Sequence, residues 1–250
     1  NQMGENGADW LRDKDADGKK FPLEALDPFT FFAAFNRGIS DENRIGIVKD
    51  LGQKLQVSAA VPTDFAGIPV ADNRNSWFFK YKVERKPDTI ESLWALFLQC
   101  LDKGMTELAP EVYQKGVETA GLGKTTMGLF WVRPNEYLSL DGVMQEFLKG
   151  RIEGISFSDA GTRDGYAKVG KAVRDAFPGT RFCEVSYEAW TTKQKPKPAH
   201  WVLALGQGSG LWDDCHARGI VRVGWNGMKS DLGRLDETEL KQLHSLSDEG

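Results

Sequence analysis

Residues 200–226 read HWVLALGQGSGLWDDCHARGIVRVGWN, and the prediction of the fold starts from this stretch. A short apolar segment leads into a glycine-rich turn, an aromatic-led helical turn and a second apolar segment that ends in Gly224 and Trp225. This order is typical of the opening of a βαβ-like unit, and too few residues follow to close it. We therefore expect a fragment of a longer protein that ends in an incomplete β module at residues 200–250.

The segments before this module alternate between helical and strand-like patterns. Residues 1–20 are polar and predict a solvated lead-in, and a Lys/Pro-rich linker spans residues 191–199. Between them we expect an N-terminal α+β domain at 21–110 and a middle α+β segment at 111–190. The predicted fold class is α+β, with a mixed helix and strand domain followed by a truncated β-barrel.

Apolar periodicity and capping residues predict the individual elements. Helices are expected at residues 28–38, 41–55, 88–101, 138–148 and 164–177. Strands are expected at residues 77–81, 127–134 and 181–187.

Composition limits the classes of function. With 32 Lys and Arg against 36 Asp and Glu, the 250-residue chain carries a formal charge of −4 and is not a uniformly basic nucleic-acid binder. A local basic groove remains compatible with this total, because binding follows the charge distribution. The chain has no apolar run of the roughly 20 residues that a transmembrane helix needs, so no membrane association and a cytoplasmic location are predicted.

Motifs for metals, cofactors and catalysis are weak in this sequence. Cys100, Cys183 and Cys215 form no C-x-x-C pair and predict reduced thiols. Residues 13–18 read DKDADG, like half of a calcium loop, but Pro22 falls inside the loop that Glu24 would close.

The stretch GLGKTT at residues 121–126 is similar to the end of a phosphate-binding loop. Glu118 stands where the first glycine is required, and the residues after Lys124 look strand-like instead of helical. We expect no catalytic residue, no metal and no cofactor.

Cations near aromatic residues form the first candidate nucleic-acid site. Arg37, Arg74 and Lys80 lie close in sequence to Asn and aromatic side chains, which can bond phosphates and stack on bases. The alternative is a solvated, salt-bridged surface, since Glu84 and Asp88 are near.

The C-terminal module supplies the second candidate site. Aromatic and amide side chains at its turns are suited to holding an unstacked base, although some of its tryptophans would fill a core instead. The candidate binding residues are Gly206, Gly208, Trp212, Trp225, Asn226 and Asp231.

Two groups of motifs carry a resemblance to a known family. LDPFTFF at residues 26–32, PTDFAGIPV at 62–70 and GLFWVRP at 128–134 resemble the N-terminal region of McrB-like AAA+ proteins of modification-dependent restriction. Residues 201–232, with GQG, LWD and GWN, are similar to the start of an EVE or PUA-like module.

The resemblance implies a DNA-targeting specificity region that is not itself catalytic. It implies DNA carrying a modified base as the ligand, a McrC-like nuclease subunit as partner, and a missing C-terminal motor domain that binds GTP or ATP with Mg²⁺ and can form a homo-oligomer. Three alternatives stay open: an RNA-binding protein, a protein-interaction scaffold and a P-loop hydrolase.

Overall fold

The structure is a computed structural model that describes residues 12–194, together with Asp213 and Ala217. A short antiparallel hairpin comes first, formed by β1 (Arg12–Lys14) and β2 (Lys20–Pro22). Eight α-helices follow in the described part of the chain: α1 (Pro28–Ala33), α2 (Asp41–Lys54), α3 (Thr89–Asp102), α4 (Pro110–Ala120), α5 (Leu122–Val132), α6 (Gly142–Lys149), α7 (Arg163–Ala176) and α8 (Phe182–Gln194).

Side-chain caps explain where several helices begin. Asp27 Oδ1 accepts the N–H groups of Phe29 and Thr30 at 2.8 and 3.1 Å, and Pro28 takes the first helical position of α1. Ser40, Asp141 and Thr162 cap α2, α6 and α7 in the same way. Neighbouring residues therefore set these boundaries locally.

The core forms where α3, α4, α5 and α7 pack together. The buried rings of Tyr113 and Tyr166 stack with centroids 5.2 Å apart, and their hydroxyls donate to the carbonyls of Ala160 and Leu138. Burial raises the pKa of both phenols, so they remain neutral donors. Gly128 lets α5 approach Phe29 of α1 closely.

The prediction of an α+β fold is wrong for the described residues, which are mainly helical with one open two-stranded sheet. Residues 127–134 lie largely in α5, because a continuous apolar run suits a buried helix as well as a buried strand. All but the first residue of the strand predicted at 181–187 lie in the first half of α8, whose buried positions Phe182, Val185 and Ala189 follow a helical spacing.

Residues 77–81 are also not a strand. Phe78 N–H donates to the Thr30 hydroxyl at 2.9 Å, so the segment is held by a side chain instead of by a neighbouring strand. The predicted helices at 28–38, 41–55, 88–101, 138–148 and 164–177 are confirmed in kind, with shifted ends. Helix α4 and the hairpin were not predicted.

The described residues contain no β-barrel. The predicted EVE/PUA-like module at 200–250 lies outside the described residues apart from Asp213 and Ala217, which are both helical. The chain divides into two compact units, Asn1–Pro196 and Lys197–Gly250. In the part of the chain that the structure describes, no helix is long and apolar enough to cross a bilayer.

Candidate nucleic-acid interface

A cleft of about 410 Å³ lies between the hairpin, the segment 73–84 and Arg37. We call it the basic cleft, because its described lining includes five cationic side chains, those of Arg12, Lys20, Arg37, Arg74 and Lys80. Three aromatic residues, Trp77, Phe79 and Tyr81, also line it.

The hairpin is held against the segment 80–85 by one buried carboxylate. Asp13 Oδ1 accepts the N–H of Lys82 at 2.7 Å, and Asp13 Oδ2 pairs with Arg85 Nη2 at 2.7 Å. Burial acts to raise the pKa of Asp13, but the hydrogen bonds from Lys82, Lys14 and Arg85 together lower it below its ordinary value. This anchor places Arg12 and Lys20 at the cleft.

The opposite wall is the loop 71–77, which is fixed to the segment before α2. Gly38 N–H donates to the Ala71 carbonyl at 3.1 Å, and Ala71 N–H donates to the Asn36 carbonyl at 2.9 Å. The Arg37 guanidinium donates to Asn73 Oδ1 at 3.1 Å. Burial lowers the pKa of Arg37, yet an arginine stays charged in proteins.

Lys124, in the first turn of α5, holds the same loop from the helix bundle. Its Nζ donates to Asn75 Oδ1 at 2.7 Å and to the Trp77 carbonyl at 2.8 Å. Burial lowers the pKa of Lys124, and the nearby Asp72 carboxylate acts in the opposite direction. Two hydrogen bonds therefore join this side chain to the loop.

The aromatic residues form one continuous group. The Trp77 ring lies 5.2 Å from the Phe79 ring and 5.6 Å from the Tyr81 ring, measured between centroids. Phe79 is buried, Trp77 is half-buried and Tyr81 is 45% exposed. Tyr81 is therefore accessible to a ligand, while Trp77 and Phe79 support it from the protein side.

The cleft is positive although the whole chain is negative. Its described lining includes a single carboxylate, that of Glu84, beside the five cations. Lys80 pairs with Glu84 at 3.0 Å, and Arg74 pairs with Asp72 at 3.2 Å, both as solvent-exposed ion pairs. Such pairs contribute only about 0–1 kcal/mol, so an incoming phosphate can compete for these cations.

The comparison with protein families matches residues 5–192 to the model described as a domain of unknown function, DUF8425. The chain belongs to the DUF8425 family. All residues of the basic cleft lie within the matched part. Neither the search of curated proteins nor that of solved structures gave a match.

The DUF8425 domain brings together Arg37, Arg74 and Lys80, the three candidates from the first group of motifs. Two other cations from the same stretches of sequence, Arg44 and Arg85, are used in contacts within the protein. Arg44 is buried, donates to the Phe35 carbonyl at 2.7 Å and lies 3.7 Å from the centre of the Phe65 ring. Arg85 pairs with Asp13 and faces Phe79.

The second group of candidates, Gly206, Gly208, Trp212, Trp225, Asn226 and Asp231, lies outside the described residues of the chain. Arg12, Lys20 and Lys124 were missed as residues that line or support the cleft. The pair Asp17-Gly18, a common hairpin turn, was the signal for the first two.

The half calcium loop is the hairpin turn of the DUF8425 domain. Asp15 Oδ1 accepts hydrogen bonds from the N–H groups of Asp17 and Lys19. Asp13 is buried and pairs with Arg85, and Glu24 pairs with Lys82. Among the described residues, no three His, Cys, Asp or Glu side chains are grouped to hold a metal ion.

The GLGKTT stretch is also part of the helical bundle. Gly121, with φ of +82°, joins α4 directly to α5, so a helix precedes the turn where a phosphate-binding loop has a strand. The residues after Lys124 are helical, which corrects the strand-like prediction.

Proposed function

We propose that the DUF8425 domain binds nucleic acid through the basic cleft. The observation that carries the proposal is the meeting of five cations with an exposed aromatic ring in one concave site. Arginine and lysine bond phosphate oxygens, and aromatic rings stack on bases of any sequence.

The charge distribution supports this function over a solvated surface. If the charges were spread evenly over an ion-paired surface, the cleft would share the negative net charge of the whole chain, which is −4. Its lining instead has an excess of positive charge. Its cations come from three separate segments: the hairpin, Arg37 and residues 73–80. Each segment is held by hydrogen bonds, so the backbone positions that carry these cations are fixed relative to one another.

The resemblance to McrB-like proteins favours DNA as the ligand. On this proposal the domain helps to target DNA in the cytoplasm, where a McrC-like nuclease subunit cuts it and a GTP- or ATP-driven motor domain is supplied elsewhere. RNA is the alternative ligand of the same cleft.

The test compares two double variants with the same change in net charge. Arg74→Ala with Lys80→Ala removes two cleft cations. Arg181→Ala with Lys171→Ala removes two exposed, ion-paired cations away from the cleft, one just before α8 and one in α7. Fluorescence anisotropy with a labelled DNA strand is expected to show about a tenfold or greater loss of affinity for the cleft variant, because phosphate contacts dominate such binding. The control variant is expected to bind like the wild type.

Two results would reject the proposal. One is an equal loss in both double variants, which would mean that only net charge matters. The other is the absence of binding by the wild type to both DNA and RNA at low salt.

A further inference from the structure

We infer that the basic cleft takes an unpaired nucleotide, so that its ligand is a single strand instead of the backbone of a duplex. The inference rests on the proposed nucleic-acid function and adds the class of substrate. It follows from the position of Tyr81, from the concave shape of the site and from the charges at the hairpin tip.

Tyr81 offers a face that only an unstacked base can use. The residue is 45% exposed, its ring packs at 63° to the Trp77 ring, and it lines the cleft together with the cations. In a duplex the base faces are covered by their neighbours, whereas a single strand can place a base on an aromatic ring. The aromatic side chains of the cleft would therefore add little to the affinity for a duplex backbone.

The shape of the site agrees with one nucleotide. A volume of about 410 Å³ is in the range of small-molecule pockets. Reading a duplex requires an element that protrudes into a groove, such as a helix or a two-stranded ribbon. The cleft is a depression in the surface, so it cannot enter a groove.

The ribbon beside the cleft, the hairpin β1–β2, is unsuited to a groove. Its turn carries Asp15 and Asp17, and the Asp17 side chain is exposed. Lys14 and Lys19 flank these carboxylates, so the tip has no excess of positive charge that would favour the phosphates of a duplex. Two other cations of the hairpin, Arg12 and Lys20, line the cleft instead.

The experiment measures the preference for a single strand and its dependence on one ring. A labelled oligothymidine of about 12 nucleotides, within the usual range of site sizes, is compared with a duplex of similar length at the same salt concentration. The variants are Tyr81→Ala, Tyr81→Phe and Tyr187→Ala, since Tyr187 on α8 is a tyrosine of similar exposure away from the cleft.

We expect the wild type to prefer the single strand. Tyr81→Ala should weaken single-strand binding by about tenfold without changing duplex binding, while Tyr81→Phe and Tyr187→Ala keep the preference. Free thymidine monophosphate should compete far more weakly than the strand, because it engages fewer cations.

Equal affinity of the wild type for the single strand and the duplex would overturn the inference. An equal loss of affinity for both ligands in Tyr81→Ala would also overturn it. Both results would leave the proposed function intact. Competition by thymidine monophosphate as strong as by the strand would also overturn it, in favour of a free nucleotide. Failure of the proposed function itself would appear as no binding to either nucleic acid.

Discussion

Lys124 Nζ donates to Asn75 Oδ1 at 2.7 Å, which ties helix α5 to the loop that forms one wall of the basic cleft. The same nitrogen also donates to the Trp77 carbonyl, so one half-buried cation holds both ends of a three-residue stretch. A side chain that resembled part of a phosphate-binding loop in the sequence is therefore a support for the cleft.

The first prediction concerns this support. Lys124→Met should free residues 72–77 and lower nucleic-acid affinity several-fold, because the cleft wall loses its attachment. Since water can replace the bonds at the exposed Asn75, the free energy of unfolding should fall by only about 1 kcal/mol. Hydrogen exchange should quicken at the Asn75 amide, which donates to the Asp72 carbonyl.

Lys124→Arg is the control for this prediction, because it keeps a cationic donor at the position. It should retain more affinity than Lys124→Met. Unchanged exchange at residues 72–77 in Lys124→Met would show that the loop does not depend on the lysine.

The second prediction concerns the anchor of the hairpin. Asp13→Asn leaves an amide group against Arg85, whose side chain is only 14% exposed, and should lower the free energy of unfolding by about 2 kcal/mol. Chemical denaturation measures this change. The matched variant Asp15→Asn, in the hairpin turn, should cost less, since the Asp15 bonds are exposed.

The third prediction is a pH dependence of the same anchor. The pKa of Asp13 is lowered on folding, so its contribution to stability is present above the unfolded pKa of about 3.9 and is lost as the pH falls below it. The stability difference between the wild type and Asp13→Asn should therefore be constant near pH 7 and shrink towards pH 3. A difference that grew on acidification would contradict the assignment.

The fourth prediction compares two helical glycines. A Cβ at Gly128 would lie 2.7 Å from Phe29 and 2.9 Å from Phe78, whereas a Cβ at Gly46 in α2 would meet nothing within 4 Å. Gly128→Ala should destabilise the domain by about 1–3 kcal/mol. Gly46→Ala should stabilise it by about 0.5–1 kcal/mol, because alanine favours the helix. Thermal melts of both variants test the difference in sign.

The sequence predicted those elements whose signals are local. Asp27-Pro28 and Ser40 cap their helices, and these caps can be recognised without knowledge of the partners. The strand predicted at 127–134 failed because the rings that surround Gly128, those of Phe29 and Phe78, come from distant segments. The strand predicted at 181–187 failed because the helical spacing of Phe182, Val185 and Ala189 becomes clear only when the residues after 187 are included. Tertiary packing then decides between helix and strand.

The candidate site was predictable only in part. Arg37, Arg74 and Lys80 stand near aromatic residues in the sequence, so each could be named as a candidate. That pattern does not predict that Arg37 meets the other two, which follows from the backbone hydrogen bonds between residues 36–38 and Ala71. The Asp17-Gly18 pair indicates the hairpin that carries Arg12 and Lys20, but not its place in the fold, which depends on the long-range hydrogen bonds that Asp13 accepts from Lys82 and Arg85. Lys124 was missed because its partners lie 47 and 49 residues away.

The central claim, that the cations of the cleft bind phosphates, is tested most directly by the salt dependence of single-strand affinity. The slope of the logarithm of the binding constant against the logarithm of the salt concentration changes by about 0.7 for each phosphate that the protein no longer neutralises. We predict that Arg74→Ala with Lys80→Ala makes the slope shallower by about 1.4, while Arg181→Ala with Lys171→Ala leaves it unchanged. The same slope for the wild type and both double variants would contradict the account.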